Sequence, residues 1–491
     1  MFSKKDKNMI KRTKIVATVS DQRCDKKFIQ ELFDSGMNVV RINTAHVTFE
    51  GMDRLIDNVR SVSSKIAIMM DTKGPEIRTT ICDNPIVYKI GDKVKMIGDI
   101  TQKTVHDTIF VSYPNFVRDI KIGSDVLIDD GDLSLKVLDK TANELLCEVQ
   151  NDSILGARKS VNIPGAKIDL PSLTEKDINN IKYAIKKNID FIAHSFVRNA
   201  HDIQIIKDIL DKEESSIRII AKIENQQGVD NIEEILEVGD GVMIARGDLG
   251  IEIPQENIPG IQRKLIKKCR IAKKPVIVAT QMLHTMISNP RPTRAEVTDI
   301  ANAIYSNTDA LMLSGETAYG KYPVEAVKTM ATIANQAEVD TFGDDFEDLP
   351  YSKHIDVTEY LSKQAVKSTF RLNIKAIITD SHSGRTARNL SAFRSKYPIL
   401  AICYNEKTMR HLALSYGVHA IYMPSLDNGQ EYYFVGLKEL VRQKEINESD
   451  MVAYLSSGKA GTHTSFLEIN LVKDVLQHVE ELTLPNKDRY L

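Results

Sequence analysis

The chain has 491 residues, which is too long for one ordinary domain and predicts two or three. Charged residues make up 27% of it and the net charge is −2, so we expect a soluble protein without a nucleic-acid-binding or membrane-binding surface. No run approaches the roughly 20 apolar residues that cross a bilayer, and five scattered cysteines favour free thiols in the cytoplasm over disulfides or a zinc site.

Eight short apolar runs are the main structural signal in the first two thirds of the chain. Each has the length of a β-strand and is followed by charged or hydroxyl residues. In order, the runs cover 13–19, 37–40, 65–70, 190–194, 217–221, 241–245, 275–279 and 309–313. They predict a (β/α)8 barrel, in which the loops after the strands form one rim that carries the active site. We therefore expect the residues after these runs to converge in space.

One interval between these runs is much longer than the others. Between Asp71 and Asp190 lie short β-type runs separated by Gly, Asp and Asn. We predict that residues 79–159 form a small β-barrel domain inserted after the third strand, so that the main barrel comprises 1–78 and 160–342. Such an insert would act as a lid that excludes water from the barrel mouth.

The rest of the chain has a different pattern. An acidic stretch with Gly and Pro at 341–350 indicates a boundary, and helical and strand-like segments alternate after it. The predicted strands cover 375–380, 398–405, 417–424 and 451–458, after a helix at 357–370. This alternation predicts an open α/β domain over residues 350–491.

Lys222 and Glu224 stand two positions apart in one predicted strand and therefore share a face. A simple ion pair is the ordinary explanation. However, Asp248 follows the next strand, and two carboxylates at neighbouring strand ends can hold one Mg²⁺ with positions left for substrate oxygens. A lysine beside them would neutralise charge on a transferring phosphoryl group, and we favour this functional interpretation.

Other parts of the rim suit anions. Gly247 and Gly250 allow close backbone approach, and a helix starting there would offer N–H groups to a carboxylate, although a tight turn would also use glycine. The charged loop 71–78 could hold nucleotide phosphates or simply be solvated. Arg41 is suited to bidentate phosphate contacts.

These segments resemble the successive motifs of the pyruvate kinase family. The matching segments are RINTAH (41–46), DTKGPEIR (71–78), VNIPG (161–165), KIENQQG (222–228), ARGDLG (245–250), VATQML (278–283), NPRPTRAE (289–296) and LSGETA (313–318). The resemblance covers the barrel and the insert almost end to end and the C-terminal part more loosely. It implies a cytoplasmic glycolytic homotetramer that transfers phosphoryl from phosphoenolpyruvate to ADP, giving pyruvate and ATP, with Mg²⁺ (or Mn²⁺) and K⁺.

The resemblance also implies roles for single residues at the reacting centre. Lys222 would stabilise the transferring phosphoryl group, which Arg41 would flank. Glu224 and Asp248 would hold Mg²⁺, and the backbone N–H groups of Gly247 and Asp248 would receive the substrate carboxylate. Thr280 would relay a proton to the enolpyruvate carbon with water and Ser314.

The nucleotide and potassium sites follow in the same way. Nucleotide phosphates would contact His46, Lys73, Arg78 and Lys159. The potassium ligands would be Asn43, Asp71 and Thr72, with Ala45 in place of the usual serine. Glu76 matches the potassium-dependent type, in which the cation offsets the charge of the glutamate.

A possible effector site follows a strand in the C-terminal part. Its residues are Ser381, Ser383, Gly384, Arg385 and Thr386, which open a predicted helix and suit the phosphate of a sugar-phosphate effector. A capped helix start would also favour serine and threonine here.

Two other functions stay open. One is another metal-dependent barrel acting on phosphoenolpyruvate or a 2-oxo acid, such as a mutase or an aldolase, but it would not need Arg78 and Lys159 for a nucleotide. The other is an inactive homologue that senses metabolites, against which the presence of Lys222 and Asp248 counts.

Overall fold

The computed structural model describes residues 11–45, 47–341, 346–424, 429–456 and 464–483. The predicted nucleotide ligand His46 lies outside these residues. Among the described residues, no helix combines the length and the apolar character needed to cross a membrane. All five cysteines are free thiols, as predicted.

The eight apolar runs form the eight strands of a closed parallel barrel, which confirms the prediction. With strands numbered in order along the whole chain, these are β1 (Lys14–Thr18), β2 (Val39–Asn43), β3 (Ala67–Asp71), β12 (Phe191–His194), β13 (Arg218–Ile223), β14 (Gly241–Ala245), β15 (Val276–Ala279) and β16 (Ala310–Leu313). They pair in the order β1-β16-β15-β14-β13-β12-β3-β2. The residues that follow these strands therefore meet at one end of the barrel.

Amphipathic helices surround the barrel and bury their apolar faces against its strands. They are α1 (Lys26–Asp34), α2 (Phe49–Val62), α4 (Glu175–Lys186), α5 (Ala200–Lys212), α6 (Gln226–Asp230), α7 (Ile232–Val238), α8 (Arg246–Glu252), α9 (Ile258–Ile271), α10 (Arg294–Tyr305), α11 (Gly315–Ala318) and α12 (Pro323–Thr341). A capping box starts α4, since the Thr174 hydroxyl accepts from the Asp177 N–H and the Asp177 carboxylate accepts from the Thr174 N–H. The Asp177 carboxylate also accepts from the N–H of Lys73, so it ties α4 to the loop after β3.

The insert consists of short strands and one short helix. They are β4 (Ile86–Tyr88), β5 (Lys93–Ile97), β6 (Thr108–Phe110), α3 (Phe116–Asp119), β7 (Asp125–Ile128), β8 (Leu133–Lys140), β9 (Leu145–Val149), β10 (Ser153–Leu155) and β11 (Val161–Asn162). Six strands pair in the order β11-β7-β8-β9-β5-β6, and β10 pairs with β4. Bridges from Arg78 to Ser160 and from Thr79 to Val111 link the two edges of the six-stranded sheet. The small barrel is thus a curled sheet whose edges meet at the segment where the chain enters the insert.

The C-terminal part is an open five-stranded sheet with helices. Its elements are α13 (Val357–Arg371), β17 (Ile374–Ser381), α14 (Arg385–Ala392), β18 (Ile399–Cys403), α15 (Glu406–His411), β19 (Val418–Tyr422), α16 (Gly429–Arg442), β20 (Met451–Ser456), β21 (Phe466–Leu471) and α17 (Val472–Thr483). The order is β19-β18-β17-β20-β21, with β21 antiparallel to β20. Leu414, just after α15, is buried with the side chains inside the main barrel. The C-terminal part therefore packs against the end of the barrel opposite the rim.

Asp190 connects the barrel to the C-terminal part. It precedes β12, is fully buried and accepts hydrogen bonds from Arg60 (2.7 Å), from the N–H of Ile68 (2.8 Å) and from Arg410 (2.8 Å). Burial alone would raise the pKa of Asp190, but the cations of Arg60, Lys407 and Arg410 hold it below its usual value. The ion pairs therefore contribute their full stability at neutral pH and lose it only as the pH falls below about 4.

We expect Asp190→Asn to destabilise the protein by about 3–5 kcal/mol, because it leaves the buried guanidinium of Arg410 and the partly buried one of Arg60 without their counter-charge. Urea denaturation at pH 7 would measure the change, with the exposed Asp211→Asn as the matched control. Equal denaturation midpoints for the two variants would contradict this role of Asp190.

Candidate active site

Lys222 lies at the centre of the barrel rim. It belongs to β13, and its Nζ atom donates to the Ser195 hydroxyl (2.8 Å) and pairs with the carboxylates of Glu224 (2.9 Å) and Asp71 (3.2 Å). Burial alone would lower the pKa of Lys222, but these two carboxylates raise it above its usual value. The side chain is therefore a fixed cation that points into the mouth of the barrel.

Arg41 forms the second cationic group of the rim. Its Nε atom donates to Asp71 (2.6 Å), its Nη2 atom pairs with the same carboxylate oxygen, and its Nη1 atom donates to the Thr18 hydroxyl (3.1 Å). Asp71 therefore lies between Arg41 and Lys222, and their charges hold its pKa below the usual value although burial opposes this. The arrangement orients two cations toward one place, which suits an anionic substrate group.

Glu224, which is buried, and Asp248, which is partly buried, form a pair of acids next to Lys222. Glu224 follows β13 and accepts a hydrogen bond from the N–H of Phe196 (2.7 Å), while Asp248 lies in the first turn of α8. Burial and the charge of Glu224 raise the pKa of Asp248 to about 7, and Lys222 only partly opposes them. Two acids that disfavour each other's charge in this way are stabilised by an added cation.

The two carboxylates of Glu224 and Asp248 are suitable ligands for Mg²⁺. They do not suit a metal ion that needs three or more protein side chains as ligands. Among the described residues, no group of three or more His, Cys, Asp or Glu side chains is arranged to hold a metal ion. Two carboxylates with room for other oxygens are a common Mg²⁺ arrangement. Both acids line a cleft of about 280 Å³ between the barrel and the insert, so a ligand could supply those oxygens.

Thr280 lies on the other side of α8. Its backbone is in the left-handed region (φ 68°), and its hydroxyl donates to the Ala279 carbonyl (2.6 Å) and accepts from the Gly247 N–H (2.8 Å). Arg246 donates to the Thr280 carbonyl (2.8 Å) and binds both carboxylate oxygens of Asp299. These contacts bring Thr280 and Gly247 together, and their predicted role in substrate binding stays a prediction.

Ser314 follows β16, and its N–H donates to the Glu316 carboxylate (2.7 Å). Glu316 is buried and also accepts from the Leu283 N–H (3.2 Å). The loops after β15 and β16 are therefore joined through Glu316. The structure places Ser314 on the rim but shows no hydrogen bond between it and Thr280.

The predicted nucleotide-binding cations lie where the insert meets the barrel. Arg78 pairs with Glu76 (2.7 Å), and Lys73 lies 3.7 Å from the same carboxylate. Lys159 pairs with Asp129 of the insert (2.5 Å). All three cations are partly exposed, so incoming phosphates can compete with these carboxylates for them.

The comparisons with known proteins agree with this geometry. A family model described as "Pyruvate kinase, barrel domain" matches residues 10–327, and "Pyruvate kinase, alpha/beta domain" matches residues 359–470. The chain is 48% identical over 476 residues to a pyruvate kinase of Borreliella burgdorferi, covering 95% of this chain and 98% of that one. The chain belongs to the pyruvate kinase family of phosphotransferases.

Two further relatives support the assignment to the pyruvate kinase family. A pyruvate kinase of Geobacillus stearothermophilus is 42% identical over 480 residues, which cover 95% of this chain and 81% of the relative. A crystal structure of a pyruvate kinase from Cryptosporidium parvum superposes with a TM-score of 0.89 at 36% identity, covering 94% of this chain and 96% of that one. The predicted fold, with its parallel barrel and C-terminal α/β part, is therefore the fold of this family.

The potassium ligands implied by the pyruvate kinase resemblance already have protein partners. The Asn43 amide oxygen accepts from the Ala45 N–H (3.1 Å), and the Thr72 carbonyl accepts from the Ser195 hydroxyl (2.7 Å). The expected K⁺ ion stays a prediction, and in the structure Arg78 and Lys73 face Glu76. Glu76 would need an added cation only when Arg78 and Lys73 bind another anion instead.

Ser195 belongs to no motif noted in the sequence, although it directly follows β12 and carries a hydroxyl at the rim. Its Oγ atom lies within hydrogen-bonding distance of Lys222 Nζ (2.8 Å), the Thr72 carbonyl (2.7 Å) and Asp71 (3.3 Å). Its position directly after a barrel strand was the sequence feature that could have identified Ser195 as a residue of the rim. The next residue, Phe196, has φ 55° and donates its N–H to Glu224, which no sequence pattern indicated.

The predicted effector residues open α14 as expected, but they bond to other parts of the protein. The Gly384 N–H donates to the Ser381 hydroxyl (2.8 Å), and the Thr386 and Thr464 hydroxyls are 2.8 Å apart. Arg385 forms an ion pair with Asp356, and the Ser383 carbonyl accepts from Arg388 (2.9 Å). Helix α14 begins after Gly384 (φ 77°) without a side-chain cap, and a phosphate there would have to replace some of these bonds.

Proposed function

We propose that this chain transfers the phosphoryl group of phosphoenolpyruvate to ADP, giving pyruvate and ATP, in the cytoplasm. One observation carries the proposal: Lys222 and Arg41 converge on the barrel mouth next to the acid pair Glu224 and Asp248. Phosphoryl transfer depends mainly on positioning and on charge stabilisation, and this arrangement supplies fixed cations together with a carboxylate pair suited to Mg²⁺.

Each group has a proposed task. Arg41 binds and orients the phosphate, and the Lys222 ammonium stabilises the charge on the phosphoryl group as it leaves the enol oxygen. Glu224 and Asp248 would hold Mg²⁺ or Mn²⁺, which when bound neutralises charge on substrate oxygens. The first turn of α8, at Gly247 and Asp248, receives the substrate carboxylate through backbone N–H groups.

The proton that completes pyruvate must reach the carbon of the enolate. A threonine hydroxyl is a weak acid, so we propose that Thr280 passes on a proton from water rather than supplying its own, with Ser314 on the same rim. The Gly247 N–H donates to the Thr280 hydroxyl and holds it beside the proposed carboxylate site, and the substrate carboxylate would replace this hydroxyl as the acceptor of that N–H.

The nucleotide would bind between the barrel and the insert. We propose that Arg78, Lys73 and Lys159 exchange their carboxylate partners for nucleotide phosphates, and that His46 is a further contact of the nucleotide. Arginine is suited to bidentate phosphate contacts, and lysine acts as a point charge. This exchange would leave Glu76 without a counter-charge. A K⁺ ion bound by Asn43, Asp71 and Thr72 would then offset the negative charge of Glu76.

Assembly and regulation are further parts of the proposal. The segment around the PRPTRAE motif is exposed in the single chain, as are Val297 and Tyr305 of α10, which is consistent with a subunit contact in a homotetramer. A sugar-phosphate effector at Ser381–Thr386 is also proposed. Light scattering would give the number of subunits.

A coupled assay of pyruvate formation tests the proposed reaction. Pyruvate should form from phosphoenolpyruvate only when both ADP and Mg²⁺ are present. Consumption of phosphoenolpyruvate without ADP would favour a mutase or an aldolase. No consumption under any condition, in a folded protein that binds phosphoenolpyruvate, would favour a metabolite sensor.

The position of Ala45 allows a test of the potassium site. We expect retained but weak K⁺ activation, and Ala45→Ser should lower the half-activating K⁺ concentration because it restores one oxygen ligand. Activity would be titrated against KCl at constant ionic strength, with a tetramethylammonium salt as the balancing electrolyte. Equal half-activating concentrations in the two proteins would show that position 45 does not face the ion.

Ser195 is proposed to position Lys222. We expect Ser195→Ala to lower kcat by about 10- to 100-fold, since hydrogen bonds to charged groups contribute about 1.5–3 kcal/mol. The KM for phosphoenolpyruvate should change much less, because Arg41 remains. Ser172→Ala, which removes a hydroxyl bonded to His194, is the control. A fall in protein stability with kcat unchanged would assign Ser195 a purely structural role.

A further inference from the structure

A second polar cavity lies at the seam between the barrel and the C-terminal part. Its volume is about 430 Å³, and we call it the seam cavity. Helix α5, the start of β13 and the loops before β14 and β15 form its barrel side. The residues before α13 and helix α14 form the other side. It is separate from the cleft that contains Glu224 and Asp248.

Cations predominate in the lining of the seam cavity. Its six lysine and arginine residues are Lys207, Arg218, Lys273, Lys274, Arg385 and Arg388. Four carboxylates also line it, and three of them are used in ion pairs: Arg218 with Asp240, Lys273 with Glu359, and Arg385 with Asp356. The remaining acid, Glu237, has an exposed side chain. The cavity therefore has an excess of positive charge.

Arg388 is the cation of the seam cavity that most clearly indicates an anion-binding site. Its guanidinium has no carboxylate within 4 Å among the described residues, and it donates to the Ser383 carbonyl (2.9 Å). Burial lowers the pKa of Arg388 to about 10, the neighbouring charge of Arg218 adds to this effect, and the charge of Asp240, which is already paired with Arg218, only partly opposes it. One carboxylate, Asp240, therefore serves two neighbouring guanidinium groups, and a further anion would stabilise this pair.

Lys274 and Lys207 extend the same positive field. Lys274 donates to the backbone carbonyls of Leu236 and Gly239 and has no carboxylate partner within the described part of the chain. Burial lowers its pKa, and the charges of Lys207 and Arg388 lower it further. Lys207 stands on the exposed surface of α5, at the opening of the cavity.

We propose that the seam cavity binds a phosphate-bearing small molecule through Arg388, Lys207 and Lys274. A phosphate dianion would satisfy the unpaired Arg388 and offset the surplus charge, and the planar guanidinium suits its oxygens. Because the cations come from both sides of the seam, the ligand would connect the barrel to the C-terminal part. This site differs from the hydroxyl-rich start of α14, although Arg385 borders both.

The seam cavity also has a direct structural connection to the rim. Arg218 begins β13, the strand that carries Lys222, and Asp240 immediately precedes β14, which leads to Asp248. The ion pair between Arg218 and Asp240 therefore joins the N-terminal ends of β13 and β14. The proposed catalytic groups lie at or just after the C-terminal ends of the same two strands. Four residues of strand correspond to about 13 Å between Arg218 and Lys222.

Isothermal titration calorimetry with the full chain tests the proposal without relying on catalysis. Inorganic phosphate is the first probe, followed by glycerol 3-phosphate and adenosine 5′-monophosphate to distinguish a simple phosphate from a phosphomonoester and a nucleotide. We expect Arg388→Gln and Lys207→Gln each to weaken binding of the best probe at least tenfold. The exposed Arg371→Gln, on α13, is the matched control for loss of one positive charge and should bind like the unmodified chain.

Two variants separate this site from its neighbours. Ser381→Ala alters the start of α14 and should leave seam binding unchanged, whereas Lys207 belongs to the barrel and cannot act through that helix start. The proposal is overturned if no probe binds at millimolar concentration, if both seam variants bind like the unmodified chain, or if Ser381→Ala alone abolishes binding. Thermal unfolding of each variant would establish that it is folded.

Discussion

Lys222→Met should lower kcat by about 10²–10³ while phosphoenolpyruvate binding stays measurable. The substitution keeps the length and most of the volume of the side chain but removes the charge directed at the transferring phosphoryl group. Arg41 and the first turn of α8 remain to bind the substrate. The measurements are steady-state kinetics and direct titration of phosphoenolpyruvate.

The control for this variant is Lys264→Met, which removes an exposed lysine from α9. It should have the kcat of the unmodified chain. The role of Lys222 would be refuted if Lys222→Met retained full turnover. Weaker phosphoenolpyruvate binding with kcat unchanged would instead show that Lys222 binds ground state and transition state alike.

Asp248→Asn should weaken the binding of Mg²⁺. We expect the half-activating Mg²⁺ concentration to rise by roughly tenfold or more, which corresponds to about 1.4 kcal/mol. The reason is the loss of one of two anionic ligands at a site where Glu224 alone would remain. Direct binding of Mn²⁺, followed by electron paramagnetic resonance, gives a measure that does not depend on turnover.

Glu252 provides a matched control for Asp248. It lines the same cleft, and burial raises its pKa to about 7 as well, but it accepts hydrogen bonds from Gly165 and Asn162. Glu252→Gln should therefore leave Mn²⁺ binding unchanged. Identical Mn²⁺ titrations for Asp248→Asn and the unmodified chain would exclude Asp248 as a ligand.

The barrel could be predicted from sequence because its strands are buried on both faces. Such strands appear as nearly continuous apolar runs, and the residue at which each run ends marks the rim. The same reasoning placed Lys222 beside Glu224, and the structure confirms that they form an ion pair. The division into domains at residues 79–159 and 350–491 stays a prediction.

The parts that the sequence did not reveal depend on contacts between distant segments. Strand β21 was missed because it is a half-exposed edge strand without an apolar run, and its pairing with β20 defines it. The pairing of Arg78 with Glu76 and of Lys159 with Asp129 depends on how the insert folds over the barrel. The surplus charge near Arg388 arises only when α14 packs against the starts of β13 and β14.

Phosphorus-31 NMR of the reaction mixture tests the central claim most directly, because it follows the transferred group itself. With phosphoenolpyruvate, ADP and Mg²⁺, the unmodified chain should convert the phosphoenolpyruvate signal into the γ-phosphate signal of ATP. Omitting ADP, or using Lys222→Met, should leave the phosphoenolpyruvate signal in place over the same time. Loss of that signal to inorganic phosphate, or to any product other than ATP, would contradict the account.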